Sequence, residues 1–214
     1  MTVARANLAD VRLVTERPAP HERILRVARD LFCRHGIHAT GIDRILSEAS
    51  ASKMTLYTRF GSKEALLKEV LNQEGAAQRG AIYAAMAAAG PDPVAQLLAV
   101  IDGLRGLFDG ESFYGCAFMN AAAEHTKGTG AAPWLRAVAK AHRDELRDRM
   151  ELLAGAAGYA DPPLLARQVL LVMDGAIAAL MVGGDPEVLT VASLTLQAVL
   201  GGQERPGEPP ATEP

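Results

Sequence analysis

Apolar residues recur every three to four positions along most of the chain, and strand formers never cluster into alternating runs. From Pro20, the positions Ile24, Val27, Ala28, Leu31 and Phe32 follow the spacing of one buried helical face. Pro20 suits a helix start and Gly36 a helix stop. Thr40 is the expected N-cap of a second helix, with Asp43 three residues on completing a capping-box-like pair. Ile42, Ile45, Leu46 and Ala49 form its apolar face. A break at Ser50 and Ala51 leads to a short third helix over 52–60, closed by Gly61, and Ser62 caps the next. The pattern then predicts helices over 62–89, 91–109, 117–126, 131–154, 161–182 and 186–201. Turn-forming stretches such as AAGPDP, KGTGAAP and GGDPE separate them. The expected fold is all-α.

Three short helices in about fifty residues, the last two joined by a tight turn, form a helix-turn-helix pattern. On a helical wheel, Leu56 and Phe60 of the third helix point together toward a core. Met54, Thr55 and Thr58 fall on the opposite side, with Lys53 and Tyr57 along one edge and Arg59 on the other. Such an outward face has the width of a DNA major groove, and its flanking donors could reach phosphates on both sides. The same geometry also occurs in purely structural helical bundles.

Charge sharpens this picture. Residues 1–67 carry 11 Lys+Arg against 7 Asp+Glu, while the remainder carries 11 against 18. A basic front on an acidic body suits a polyanionic partner. With 214 residues, 49% apolar and 22% charged, the chain can bury a substantial core. Two cysteines without metal-ligand spacing suit a reducing cytoplasm. The first residues lack the apolar segment of a signal peptide. QVLLVMDGAIAALMVGG, interrupted by Asp174 and glycines, makes a poor membrane span.

The run ILRVARDLFCRHGIHATGIDRILSEASASKMTLYTRFGSKEALL resembles the N-terminal DNA-binding domain of the tetracycline-repressor (TetR) family of bacterial transcriptional regulators. The resemblance covers about 45 residues without a gap. It rests jointly on LFCRHG, TGIDRI, SKMTLYTRF and GSKEAL. It implies double-stranded operator DNA as partner, with Thr40 holding a phosphate and Ser52 and Lys53 at the entry of the recognition helix. Thr55 and Tyr57 would be phosphate or groove contacts. Lys63 would touch the DNA backbone, assisted by a helix dipole. Met54 could meet a thymine methyl, and Thr58 and Arg59 complete the face. The alternatives are a core-edge aromatic for Tyr57 and a merely solvated Lys63. One departure is Ser50, where the family usually has glycine. If that residue takes positive φ, serine costs on the order of 1 kcal/mol.

The expected organisation is an arm over 1–18, a helix-turn-helix domain over 19–67, a larger domain over 68–202 and a proline- and glutamate-rich tail over 203–214. The resemblance implies that the larger domain dimerises and holds a small-molecule inducer. The segment YGCAFMNAAAE resembles a stretch in a subset of the family. Expected lining residues of a largely apolar cavity are Phe108, Phe113, Phe118, Met119, Asn120, Glu124 and Trp134, with Met86 and Met173 beyond them; each suits ordinary core packing as well. The last two helices are the expected homodimer interface, being apolar almost all round. Asp174 could cap, pair with a residue such as Arg167, or face the cavity. The main reading is therefore a homodimeric repressor, without metal or other cofactor and without a membrane. A redox switch at Cys116 is an alternative mode of control. An enzyme using Cys116, Glu124 and His125 lacks any matching motif, and His21, His35, His38, His125 and His142 show no HxxxH or HExxH spacing.

Overall fold

A computed structural model describes residues 18–108, 114–125 and 133–205. Among these residues the chain forms helices and no strand. In order they are α1 Pro20–His35, α2 Ile42–Ala49, α3 Lys53–Phe60, α4 Lys63–Ala88, α5 Pro93–Leu98, α6 Val100–Phe108, α7 Ala117–His125, α8 Pro133–Ala156, α9 Pro162–Gly183 and α10 Glu187–Gly201. The single helix expected over 91–109 is two, divided at Ala99, whose N–H is shared between the carbonyls of Ala95 and Leu97.

Local chemistry accounts for most boundaries. Ser52, Ser62, Asp92 and Asp161 each accept a backbone N–H of their own first turn, satisfying donors that a helix start leaves unpaired. Thr40 does not do so. The N-cap of α2 is Gly41, without a side-chain cap bond, and Thr40 is fully buried. Its hydroxyl donates to the Gly36 carbonyl at 2.7 Å, so the loop after α1 captures the group expected to cap α2.

Two apolar clusters organise the helices. The smaller joins Ile24, Leu31 and Phe32 of α1, Ile45 and Leu46 of α2, Leu56 of α3 and Leu66, Val70 and Leu71 of α4. Phe118 and Ala121 of α7 and Leu135 of α8 complete it, so its packing crosses residue 67. The larger cluster takes the far half of α4 through Ile82 and Met86, and adds α5, α6, α8, α9 and α10. Helix α4 thus belongs to both. By length and composition α9 could cross a membrane, yet 44% of its apolar window is buried inside the molecule. Its Leu165, Val169, Met173 and Ile177 are core residues beside α8 and α10.

Gly103 shows how closely α6 approaches α4. A Cβ there would stand 2.7 Å from the Cα of Ile82, inside any real contact distance.

Candidate functional site

The turn between α2 and α3 aims the outward helix. Ser50 has φ 47° and ψ 53°, the left-handed conformation, and is the only non-glycine residue with positive φ among the described residues. Its neighbour Ala51 donates to the Leu46 carbonyl at 3.0 Å, which closes the end of α2. Arg23 of α1 holds the turn from outside: Nε donates to Ala49 O at 2.9 Å and Nη2 to Ser50 O at 2.8 Å. A third bond, from Nη1, reaches Pro18 O at 2.8 Å. Sequence reasoning missed Arg23 because its partners lie 26 and 27 residues away and are backbone carbonyls, which leave no mark on a residue pattern.

Helix α3 is anchored by Leu56, which is fully buried, and Phe60 packs at the edge of the same cluster. The opposite face stands free. Met54 is 79% exposed and Tyr57 49%, and Ser52, Lys53, Thr58 and Arg59 are exposed beside them. Thr55 is half-buried, its hydroxyl 3.0 Å from that of Ser52. Lys53 pairs with Asp43 at 2.9 Å; both groups are so exposed that the pair adds little to stability and leaves the ammonium free to exchange partners.

Two of the expected contacts sit differently. The Thr40 hydroxyl is buried and already donating, so its side chain presents nothing to a phosphate. Lys63 turns back over the α1–α2 loop. Its ammonium donates to Ile37 O at 2.6 Å and lies 5.9 Å from the centre of the Phe32 ring. Burial pushes its pKa down, opposed by the negative charge of Glu124.

Beneath this unit lie two adjoining cavities that share Gln78, Cys116 and Phe118. The first, about 250 Å³, runs between α1, α4, α6 and the start of α7, and includes the Arg29–Glu74 ion pair, Cys33 and Tyr114. The second, about 180 Å³, lies between α7, α8 and α9, and its wall includes Met119, Ala122, Ala139, His142, Leu146, Met173, Asp174 and Ile177.

Of the residues expected to line a cavity, Phe118, Met119 and Met173 do so. Phe108 instead packs against the larger core, and Met86 is wholly inside it. Asn120 is spent locally, donating from Nδ2 to Tyr114 O at 2.9 Å and so closing the turn before α7. Trp134 lines a separate outer groove with Lys68 and Asn72. Phe113 lies outside the described residues. Glu124 departs furthest from expectation: its carboxylate accepts the N–H of Ile37 at 2.8 and 2.9 Å and that of His38 at 3.0 Å. An acid about two turns into a short helix looks the same in sequence whether it meets a ligand or a loop.

Asp174 forms an ion pair with Arg143 of α8 at the cavity wall, rather than with Arg167, which bonds the Pro163 carbonyl in its own helix. In sequence His142 is weighed only as a metal ligand, and its place in the cavity wall leaves no mark on the residue pattern. Its ring stacks on Phe118, centroids 4.3 Å apart and planes 16° from parallel. Nδ1 lies 2.8 Å from the Arg79 guanidinium and Nε2 3.0 Å from Gln78 Oε1. Arginine only donates, so Nδ1 accepts and Nε2 carries the proton. Burial, with the charges of Arg79 and Arg143, holds its pKa down at about 4. Burial also raises both thiols, Cys33 to about 11 with help from Glu74, and Cys116 in the same direction. Both are therefore protonated and weakly nucleophilic near neutral pH.

Similarity to known proteins follows this division. Residues 24–70 match the family model described as bacterial regulatory proteins, tetR family. The transcriptional regulator UidR of Escherichia coli is 37% identical over 60 residues, which are 28% of this chain and 31% of that protein. The regulator QacR of Staphylococcus aureus is 42% identical over 53 residues, or 25% and 28% of the two chains. The chain thus spans about a third or less of the length of these curated relatives. SCO4454, a TetR-family transcriptional regulator from Streptomyces coelicolor, matches far more: 33% identity over 85% of this chain and 88% of that one, with a TM-score of 0.76. With residues 24–70 matching the family model and nearly the whole fold matching SCO4454, the chain belongs to the TetR family of bacterial transcriptional regulators.

Proposed function

We propose that the protein is a homodimeric transcriptional repressor of the cytoplasm, which binds a pseudo-palindromic operator through α3 and is released by a small, largely apolar inducer. The observation that carries this reading is the outward face of α3. Met54, Tyr57, Thr58 and Arg59 are exposed together on a helix fastened by Leu56, while Ser50 and Arg23 hold the turn that aims it. Such a helix can enter a major groove with an apolar reader at its centre and donors at its margins. Residues Ser52, Lys53 and Thr55 stand at its entry.

Dimerisation is supported by what α9 and α10 leave uncovered. Leu171 and Val182 of α9 are 72% and 92% exposed, and Val191 and Leu194 of α10 also face outward. A second copy would remove these apolar groups from water and set two α3 helices on half-sites about 34–36 Å apart, or a little more. An inducer that favours one arrangement of the dimer would shift its population away from the DNA-competent form.

The test is selection from a pool of random duplexes by the purified protein, repeated with Tyr57→Ala and Met54→Ala. Enrichment of an inverted repeat by the parent protein, weakened in the Tyr57 variant and relaxed in sequence by the Met54 variant, is the expected result. Salt-sensitive binding without sequence preference would refute the repressor reading.

A further inference from the structure

The cavity between α7, α8 and α9 has a definite chemistry. Its surface is almost wholly apolar, and three of its walls carry sulfur, in Cys116, Met119 and Met173. Leu146, Leu170 and Ile177 supply the aliphatic floor, and the Phe118 ring, stacked on His142, forms one side. Polarizable sulfur beside an aromatic ring is a favourable contact. A planar ligand here would find one ring and three sulfur atoms around it.

The polar groups of the wall are already partnered. Both nitrogens of His142 are taken, by Arg79 and by Gln78. Arg143 and Asp174 neutralise each other. An anion would have to stand beside Asp174 and a cation beside Arg143, and either must break that pair or enter an apolar space unpaired. Burying an unpaired charge is far more costly than burying an apolar surface. Size sets a second bound. A dry apolar cavity of about 150 Å³ holds benzene, and this one measures about 180 Å³.

We propose that this cavity binds an uncharged, planar aromatic molecule of one or two rings, and that this is the chemical class of the inducer. The assignment rests on the regulator reading above, and its test separates the two.

The experiment is calorimetric titration of the full chain with naphthalene, naphthoate and naphthylmethylammonium, three probes of one ring system and three charges. Ala139→Phe and Ala122→Phe, which place a ring in the cavity from α8 and α7, are titrated alongside after their fold is checked by circular dichroism. The expected result is saturable binding of naphthalene, at least about tenfold tighter than either charged probe, and lost in whichever filled variant folds. Equal or tighter binding of a charged probe overturns the proposal, as does naphthalene binding untouched by a folded, filled variant. Absence of binding both by naphthalene and by benzene, titrated as the one-ring probe, overturns it too, even where the same preparation selects an inverted repeat, an outcome that leaves the regulator reading standing. Binding of naphthalene by a protein that selects no repeat supports the cavity assignment and removes its role as inducer site.

Discussion

The carboxylate of Glu124, on α7, holds the backbone of Ile37, in the loop between α1 and α2, with both oxygens within 2.9 Å of one N–H. The two residues are 87 apart in the chain. Gly36 makes the approach possible: its φ of 86° turns the loop toward α7, and a Cβ there would stand 3.1 Å from Glu124 Oε1. The other side of Ile37, its carbonyl, accepts the Lys63 ammonium at the head of α4. One loop residue thus links α7, which lines both cavities, to the head of α4, the helix that follows α3.

Removing that carboxylate should loosen the link. Glu124→Ala leaves two loop N–H groups without their acceptor and should cost about 1–3 kcal/mol. Amide exchange at Ile37 and His38 should quicken, with Glu124→Gln between the variant and the parent. Unchanged exchange at both amides in Glu124→Ala would show that the carboxylate bears no weight there.

Ser50 occupies a conformation that glycine adopts without strain. Ser50→Gly should raise stability by about 1 kcal/mol, because the left-handed cost disappears while the Arg23 bonds to backbone carbonyls persist. Chemical denaturation should show a higher midpoint with the same slope. A lower midpoint would mean that the serine side chain contributes more than the strain removes.

His142 makes stability depend on pH. Its folded pKa, about 4, lies below the ordinary value of 6.5, so between these values the unfolded chain binds more protons than the folded one. Its contribution to stability is complete above 6.5, declines as pH falls toward 4, and is gone below it. The loss should reach up to about 3 kcal/mol. Denaturation of the parent and of His142→Gln at pH 7 and pH 4.5 should show a smaller decline in the variant.

Gly103→Ala tests the packing of α6 on α4. Helix propensity alone would make alanine stabilising by about 1 kcal/mol. The Cβ would, however, meet the Ile82 backbone at 2.7 Å, and overpacking of that kind costs about 1–3 kcal/mol. Net destabilisation, read as a lower thermal midpoint, is the expected sign.

Much of this protein can be read from local pattern, because helices bury faces at a fixed period and begin at recognisable caps. The faces of α1 and α2, the anchoring of α3 by Leu56 with Met54 opposite, and the cap at Ser62 all follow from residues within a few positions of one another. The condition attached to Ser50, a positive φ where the family usually has glycine, came from the resemblance rather than from periodicity, and the turn meets it.

What escaped the pattern is the partner each polar side chain takes, whether near or far along the chain. Thr40 could cap α2 or bond the end of α1, and only the fold brings the Gly36 carbonyl within 2.7 Å. Glu124 and Asn120 have the composition of cavity residues, yet one meets a loop and the other closes its own turn. His142, Gln78 and Arg79 form a network across 63 and 64 residues of chain. A helical sequence settles which side of each helix turns inward, through the free energy of burying apolar surface. Which polar side chain meets which partner depends on how whole helices lie against one another, and a hydrogen bond exists only where that packing brings donor and acceptor within about 3 Å.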